Sequence, residues 1–156
     1  MVKHDYVDLF PFQYGSSDPS DFLTLDGVYR YVTQLNAYRL HLNLPSISTT
    51  ITARPFEIMA CGGVLLQNKV IGEQSNQLFQ DGKHLVYYDS ENPEDLIGKI
   101  NYLIDNPEVA KGIAVEGHKL CYEQHTLLNR IQAILEWLGI NYDVHNRSQA
   151  VASHEE

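Results

Sequence analysis

Three short segments of strand character, separated by segments of helical character, constrain the fold of this chain most. RLHLNL at residues 39–44 alternates leucine with polar residues, which is the period of a half-buried strand. VLLQN at 64–68 and KHLVYYD at 83–89 are short apolar segments typical of buried strands. Residues 55–61 predict a short helix between the first two strands, which the double glycine at 62–63 ends. This alternation predicts an α/β domain with a parallel sheet and flanking helices.

The other helices are predicted from their start and stop signals. The apolar spacing of residues 27–38 is that of one helix face. Pro93 and Pro107 each follow an asparagine, which predicts two helices with an asparagine cap and a proline at the first helical position. Thr126 is predicted to cap a last helix, which Gly139 ends. We therefore expect three consecutive helices after the third strand.

The composition argues against several functional classes. With 156 residues, the chain is long enough for one domain with a substantial core. Its net charge of −9 argues against nucleic-acid binding, which relies on clustered lysine and arginine, but leaves a small phosphorylated ligand open. The two cysteines cannot make a disulfide framework. Because the sequence shows no signal-peptide region and no apolar run of about 20 residues, we expect a cytoplasmic chain without a membrane span.

Arg54 and Glu57 lie within one turn at the start of the short helix, and two interpretations apply to them. If Arg54 is the cap and Pro55 the first helical residue, Glu57 is at the third position, where a carboxylate can cap the helix. Capping does not explain Arg54, whose charge opposes the helix dipole, so the second interpretation is a bound anion. A ribose-binding glutamate beside a phosphate-binding arginine would suit a nucleotide diphosphate. Hydroxyl groups in the preceding loop would add donors: Ser48, Thr49, Thr50 and Thr52.

A metal site is the weaker interpretation of a second group of residues. His118, Cys121 and His125 would share one helix face if the helix continues to His125. All three are residue types that bind zinc, but the sequence offers no second cluster to complete four ligands. A partly buried helix face explains the spacing equally well, so we predict no metal.

Four motifs, in this order, resemble the donor-binding half of GT-B glycosyltransferases. They are an asparagine-containing strand with Asn43, an Arg-x-Phe-Glu segment at 54–57, a small-residue helix ending in Cys-Gly at 60–62, and a Glu-x-His-Thr segment at 123–126. The resemblance covers roughly residues 27–138. It is closest to the spore-maturation-protein (CgeB-like) type of the group 1 glycosyltransferases.

This resemblance implies a fold and a ligand. The fold would be a partial Rossmann-like sheet, the C-terminal part of a GT-B donor domain, at residues 27–139. Residues 1–26 would be an arm or edge strand, and 140–156 a polar tail. The ligand would be a nucleotide-diphosphate sugar, used as donor substrate without a cofactor. Glu57 would bind the ribose and Arg54 would lie near the diphosphate, with further contacts from Asn43, Thr49, Thr50 and Thr52.

Other parts of the family pattern are not found in this sequence. Thr49 stands where relatives with a Glu-x7-Glu motif have their first glutamate, so one sugar contact is not expected. No catalytic residue is assigned, and the acceptor domain lies outside this sequence. We therefore expect a companion acceptor domain or a homo-oligomer as partner. The alternative is a non-catalytic remnant that binds a nucleotide or a protein.

The strand order implied by the resemblance leads to one more expectation. If residues 39–44 form the fourth strand of the doubly wound order 3-2-1-4-5-6, their usual neighbour in the sheet is not supplied. An open strand edge is a template for pairing. We expect either DYVDLFPF at 5–12 or a second copy of the chain to cover it.

Overall fold

A computed structural model describes residues 24–44, 52–69 and 78–142 of the chain. The N-terminal segment, most of the polar tail and two predicted site residues, Thr49 and Thr50, lie outside the described residues. The chain divides into two compact units, residues 1–34 and 35–156. Within the described ranges, no helix is long and apolar enough to cross a membrane.

Helix α1, Leu25–Ala37, begins in the first unit and confirms the helix predicted from apolar spacing. The Thr24 hydroxyl accepts a hydrogen bond from the Gly27 N–H (3.0 Å), so threonine caps this helix. Asp26 and Arg30 form an exposed ion pair one turn apart, at 3.1 Å. The helix therefore begins two residues earlier than the predicted segment.

Within its described residues, the second unit contains a parallel sheet of three strands in the order β1-β2-β3. These are β1, Leu40–Asn43; β2, Val64–Asn68; and β3, Val86–Tyr88. Leu40 pairs with Val64, and Leu66 with Val86. All three predicted strands are confirmed, each within the predicted segment.

The described residues of this unit form four further helices: α2, Arg54–Ala60; α3, Pro93–Asp105; α4, Pro107–Gln124; and α5, Leu127–Trp137. The Asn92 side chain accepts from two N–H groups of α3, and Thr126 caps α5, as predicted. Asn106 is the cap residue of α4 and Pro107 its first helical residue, as predicted, but the Asn106 side chain makes no hydrogen bond to the start of α4. Its side-chain amide donates instead to the Tyr102 carbonyl (2.8 Å), so it closes the end of α3.

Alternate strand residues face two separate layers, because side chains alternate across a strand. One face packs against α3 and the first half of α4, in a cluster made of Val64, Leu66, Val86, Tyr88, Leu103 and Ile113. The other face packs against α2 and the last part of α4, in a cluster made of Ile58, Met59, Leu65, Phe79, Leu85, Tyr87 and Cys121. Helix α4 thus contributes to both layers.

Gly62 and Gly63 connect α2 to β2, as the sequence predicts. Gly62 has φ +74°, the left-handed conformation that ends a helix. Gly63 lies against β1: a Cβ there would be 2.5 Å from Cδ2 of His41. This close approach lets β2 begin directly after α2 and beside β1.

Candidate functional site

The carboxyl ends of the strands carry polar residues. Asn43 ends β1, Asn68 ends β2 and Tyr88 ends β3. Helix α2 begins at the same edge, because it connects β1 to the parallel strand β2. Ligands of open α/β sheets bind outside the carboxyl ends of the strands. This edge is therefore the candidate site.

Hydrogen bonds join these strand ends into one network. Asn43 Nδ2 donates to Gln67 Oε1 (2.7 Å), and Gln67 Nε2 donates to Asn68 Oδ1 (2.8 Å) and to the Asn68 carbonyl oxygen (3.2 Å). The Tyr88 hydroxyl donates to the Asn43 carbonyl oxygen (2.8 Å). Gln67 is only 7% exposed, and a buried amide requires such partners. Both the side chain and the main chain of Asn43 are thereby held.

The first turn of α2 differs by one residue from the prediction. Ala53 is the cap, Arg54 the first helical residue and Pro55 the second. Glu57 is consequently at the fourth position, and the prediction that Arg54 caps and Glu57 lies third is wrong. A capping box needs its carboxylate at the third position, which Phe56 occupies. Glu57 therefore forms no capping box, although it stays in the first turn, where its charge favours the helix dipole.

The predicted ligand-binding side chains at this turn are exposed. Thr52, Arg54 and Glu57 all face solvent. Burial lowers the pKa of His41 in β1, and the charge of Arg54 lowers it further. No carboxylate of the described ranges forms an ion pair with the Arg54 guanidinium.

Phe56 contacts the other motif that the sequence singles out. Its ring centre is 5.0 Å from that of His125 and 5.3 Å from that of Phe79, and Arg130 Cζ lies 4.8 Å from it. The structure thus brings the Arg-x-Phe-Glu and Glu-x-His-Thr segments together. Burial, and then the Arg130 charge, lowers the pKa of His125. Spacing along the sequence gave no sign of this contact.

The three residues considered for a metal have separate surroundings. The His118 ring nitrogen Nδ1 is 2.9 Å from the Ala60 carbonyl oxygen. Cys121 is in the core, where burial raises its pKa to about 11. His125 follows the end of α4 instead of continuing its face. No group of three metal-binding side chains occurs within the described part of the chain.

Gln67, Asn68 and Tyr88 belong to the site but were not among the predicted residues. One signal for the first two was present, since VLLQN changes from apolar to amide side chains at its end. A buried strand that ends in amides indicates a polar edge. The role of Tyr88 depends on a contact with β1 across the width of β2, which no local pattern reveals.

A cavity of about 450 Å³ lies elsewhere in the second unit. It is lined by the Gly82-Lys83 turn and by one side of α4. Because this turn precedes β3, the cavity is at the amino edge of the sheet, opposite the polar strand ends. We therefore do not assign it to the candidate site.

A family model described as glycosyl transferase-like matches residues 23–136, most of the chain. The chain belongs to this family. The match includes β1, α2, β2 and the segment 123–126, so the polar strand ends and both motifs lie inside it. A search of curated proteins finds no match.

Solved structures of Anabaena HepE, among them complexes with UDP-glucose and with UDP, resemble this chain. The complex with UDP-glucose has a TM-score of 0.58 at 19% identity, over 68% of this chain and 29% of HepE. The complex with UDP has a TM-score of 0.61 at 15% identity, over 78% of this chain and 38% of HepE. This chain therefore spans well under half the length of the HepE chains. The likeness confirms the predicted fold, a partial Rossmann-like parallel sheet of the GT-B type.

Proposed function

We propose that this chain binds a uridine-diphosphate sugar as the donor part of a GT-B glycosyltransferase. The observation that carries the proposal is the polar carboxyl edge of the sheet, where Asn43, Gln67 and Asn68 lie at the ends of the strands that α2 connects. Membership of the glycosyl transferase-like family and the likeness to HepE bound to UDP-glucose support it. The spore-maturation-protein type remains part of this proposal, based on the order of the motifs.

Each predicted residue has a role suited to its chemistry. Glu57 accepts hydrogen bonds from the two ribose hydroxyls, because a carboxylate is an acceptor with several lone pairs. Arg54 binds the diphosphate, since a guanidinium makes paired hydrogen bonds to phosphate oxygens. Thr52 adds a hydroxyl donor, and Thr49 and Thr50 remain predicted contacts of the same loop. The exposure of Arg54 and its lack of an ion pair within the described ranges support its role.

Sugar transfer needs an acceptor as well. In the reaction, the bond between the sugar and the diphosphate breaks and the diphosphate leaves with the electron pair. The oxygen of an acceptor hydroxyl bonds to the sugar and loses its proton to solvent. The HepE chains extend far beyond the region that this chain matches, so the matched region corresponds to only part of HepE. We propose that a companion acceptor domain binds the acceptor. Without that companion, we expect donor binding with little or no transfer. A non-catalytic nucleotide-binding module is the alternative.

Calorimetric titration tests the binding part of this proposal. We expect the chain to bind UDP and UDP-glucose and to bind uridine more weakly, because uridine lacks the diphosphate. A transfer assay with and without a companion acceptor chain then separates an enzyme from a binding module. If neither UDP nor UDP-glucose binds, the proposed function is wrong.

A further inference from the structure

The hydrogen bonds at the strand ends determine which way each side-chain amide points. The Asn68 carbonyl oxygen can only accept, so the Gln67 group 3.2 Å from it must be the Nε2 donor. Gln67 Oε1 therefore faces Asn43. An acceptor at 2.7 Å requires a donor, so Asn43 turns its Nδ2 toward Gln67. The orientation of both side-chain amides, those of Gln67 and Asn43, therefore follows from the position of the Asn68 carbonyl oxygen.

This direction leaves the Oδ1 oxygen of Asn43 available. No hydrogen bond to Oδ1 occurs in the structure of the described residues, and every fully buried side-chain nitrogen or oxygen among them has a partner. Asn43 Oδ1 is therefore accessible to solvent. It is a neutral acceptor at the carboxyl edge, held in place by Gln67 and, through the main chain, by Tyr88.

An acceptor oxygen selects the kind of group it can bind. It attracts the O–H of a hydroxyl and repels the oxygens of a phosphate, which are acceptors themselves. Building on the proposed function, we propose that Asn43 Oδ1 accepts a hydrogen bond from a hydroxyl of the nucleotide sugar. Gln67 is the positioning residue that fixes this orientation. The hydroxyl belongs either to the ribose or to the transferred sugar, and the ligand series below distinguishes them.

The test measures the affinities of three ligands for the full chain: UDP-glucose, UDP and 2′,3′-dideoxy-UDP. Asn43→Ala should weaken the contacted ligand about two- to tenfold, the range for one neutral hydrogen bond. If the hydroxyl belongs to the transferred sugar, Asn43→Ala lowers the affinity for UDP-glucose only. If the hydroxyl belongs to the ribose, Asn43→Ala lowers the affinities for UDP-glucose and UDP equally and leaves the affinity for dideoxy-UDP unchanged. Equal weakening of UDP and dideoxy-UDP, or no effect on any ligand, would overturn the proposal.

Gln67→Met removes the hydrogen bond between Gln67 and Asn43 and keeps a side chain of similar size. It should weaken the same ligands as Asn43→Ala, and the double variant should bind them no more weakly than Asn43→Ala alone, because Gln67 acts through Asn43. A purely structural role of Gln67 would lower the affinity for all three ligands, and that result would contradict the proposal.

Asn106→Ala is the control, since this asparagine lies between α3 and α4 at the amino edge. If the unmodified chain binds UDP and Asn43→Ala changes nothing, only the hydroxyl contact is wrong; if the unmodified chain binds no ligand, the proposed function is wrong as well.

Discussion

Glu57 and Arg54 lie at opposite ends of one helical turn and have separate tests. Glu57→Gln should weaken UDP binding about tenfold or more, because a hydrogen bond to a charged group contributes about 1.5–3 kcal/mol. Glu108→Gln is a matched control, since Glu108 lies in the first turn of α4. Calorimetry of both variants is the measurement. A change in the melting temperature of Glu57→Gln at unchanged UDP affinity would show that Glu57 has a structural role only.

Arg54 should distinguish the diphosphate from the nucleoside. Arg54→Ala is expected to weaken UDP far more than uridine, because only UDP carries the phosphate oxygens. Arg54→Lys should restore only part of the affinity, since an ammonium lacks the planar fork of the guanidinium. Arg30→Ala, which removes an exposed arginine of α1, is the control. Equal losses for UDP and uridine in Arg54→Ala would instead indicate a structural residue.

At the level of elements, α4 offers a matched pair of glycines. A Cβ at Gly117 would lie 2.6 Å from the His84 carbonyl oxygen, whereas a Cβ at Gly112 meets no atom within 4 Å. Gly117→Ala should therefore lower the free energy of unfolding by about 1–3 kcal/mol through overpacking. Gly112→Ala should be neutral or raise it by up to about 1 kcal/mol, because alanine favours a helix. Urea unfolding compares the two, and equal effects would show that α4 does not pack closely against the turn before β3.

Local signals explain why the elements were predictable. Alternating leucines predict β1, the proline after Asn92 predicts the start of α3, and the double glycine at 62–63 predicts the end of α2. Each of these signals acts within a few residues of the sequence. Asn106 lies between two helices, and its side chain bonds to the end of α3 and not to the start of α4, which depends on the geometry of both helices. The start of α2 moved by one residue because Pro55 fits its second position as well as its first.

The site was less predictable because it depends on contacts between elements. The pairing of Asn43 with Gln67 follows from the register of two strands 24 residues apart, and the contact of Phe56 with His125 from the packing of α2 beside the end of α4. No local sequence pattern predicts either contact. The resemblance to a family indicated which residues matter, but the direction of the amide hydrogen bonds required the structure.

At the scale of the whole molecule, β1 pairs only with β2 within the described ranges and so forms an edge of the sheet. An open edge invites pairing, so we expect either residues 5–12 or a second copy to cover it. Light scattering measures the mass, and amide hydrogen exchange measures the protection of residues 40–43. A dimer, or a monomer with these amides protected on both sides of the strand, is expected. A stable monomer whose outer β1 amides exchange freely would contradict this.

The central claim, that a nucleotide sugar binds at the carboxyl edge of the sheet, is tested most directly by nuclear magnetic resonance. Titration of the isotopically labelled chain with UDP-glucose reports which backbone amides change their environment. We predict the largest chemical-shift changes at Asn43, at the non-proline residues of 52–57 and at Gln67 and Asn68. Changes confined to the opposite edge, around the cavity between Gly82 and α4, or no changes at saturating UDP-glucose, would contradict the assignment.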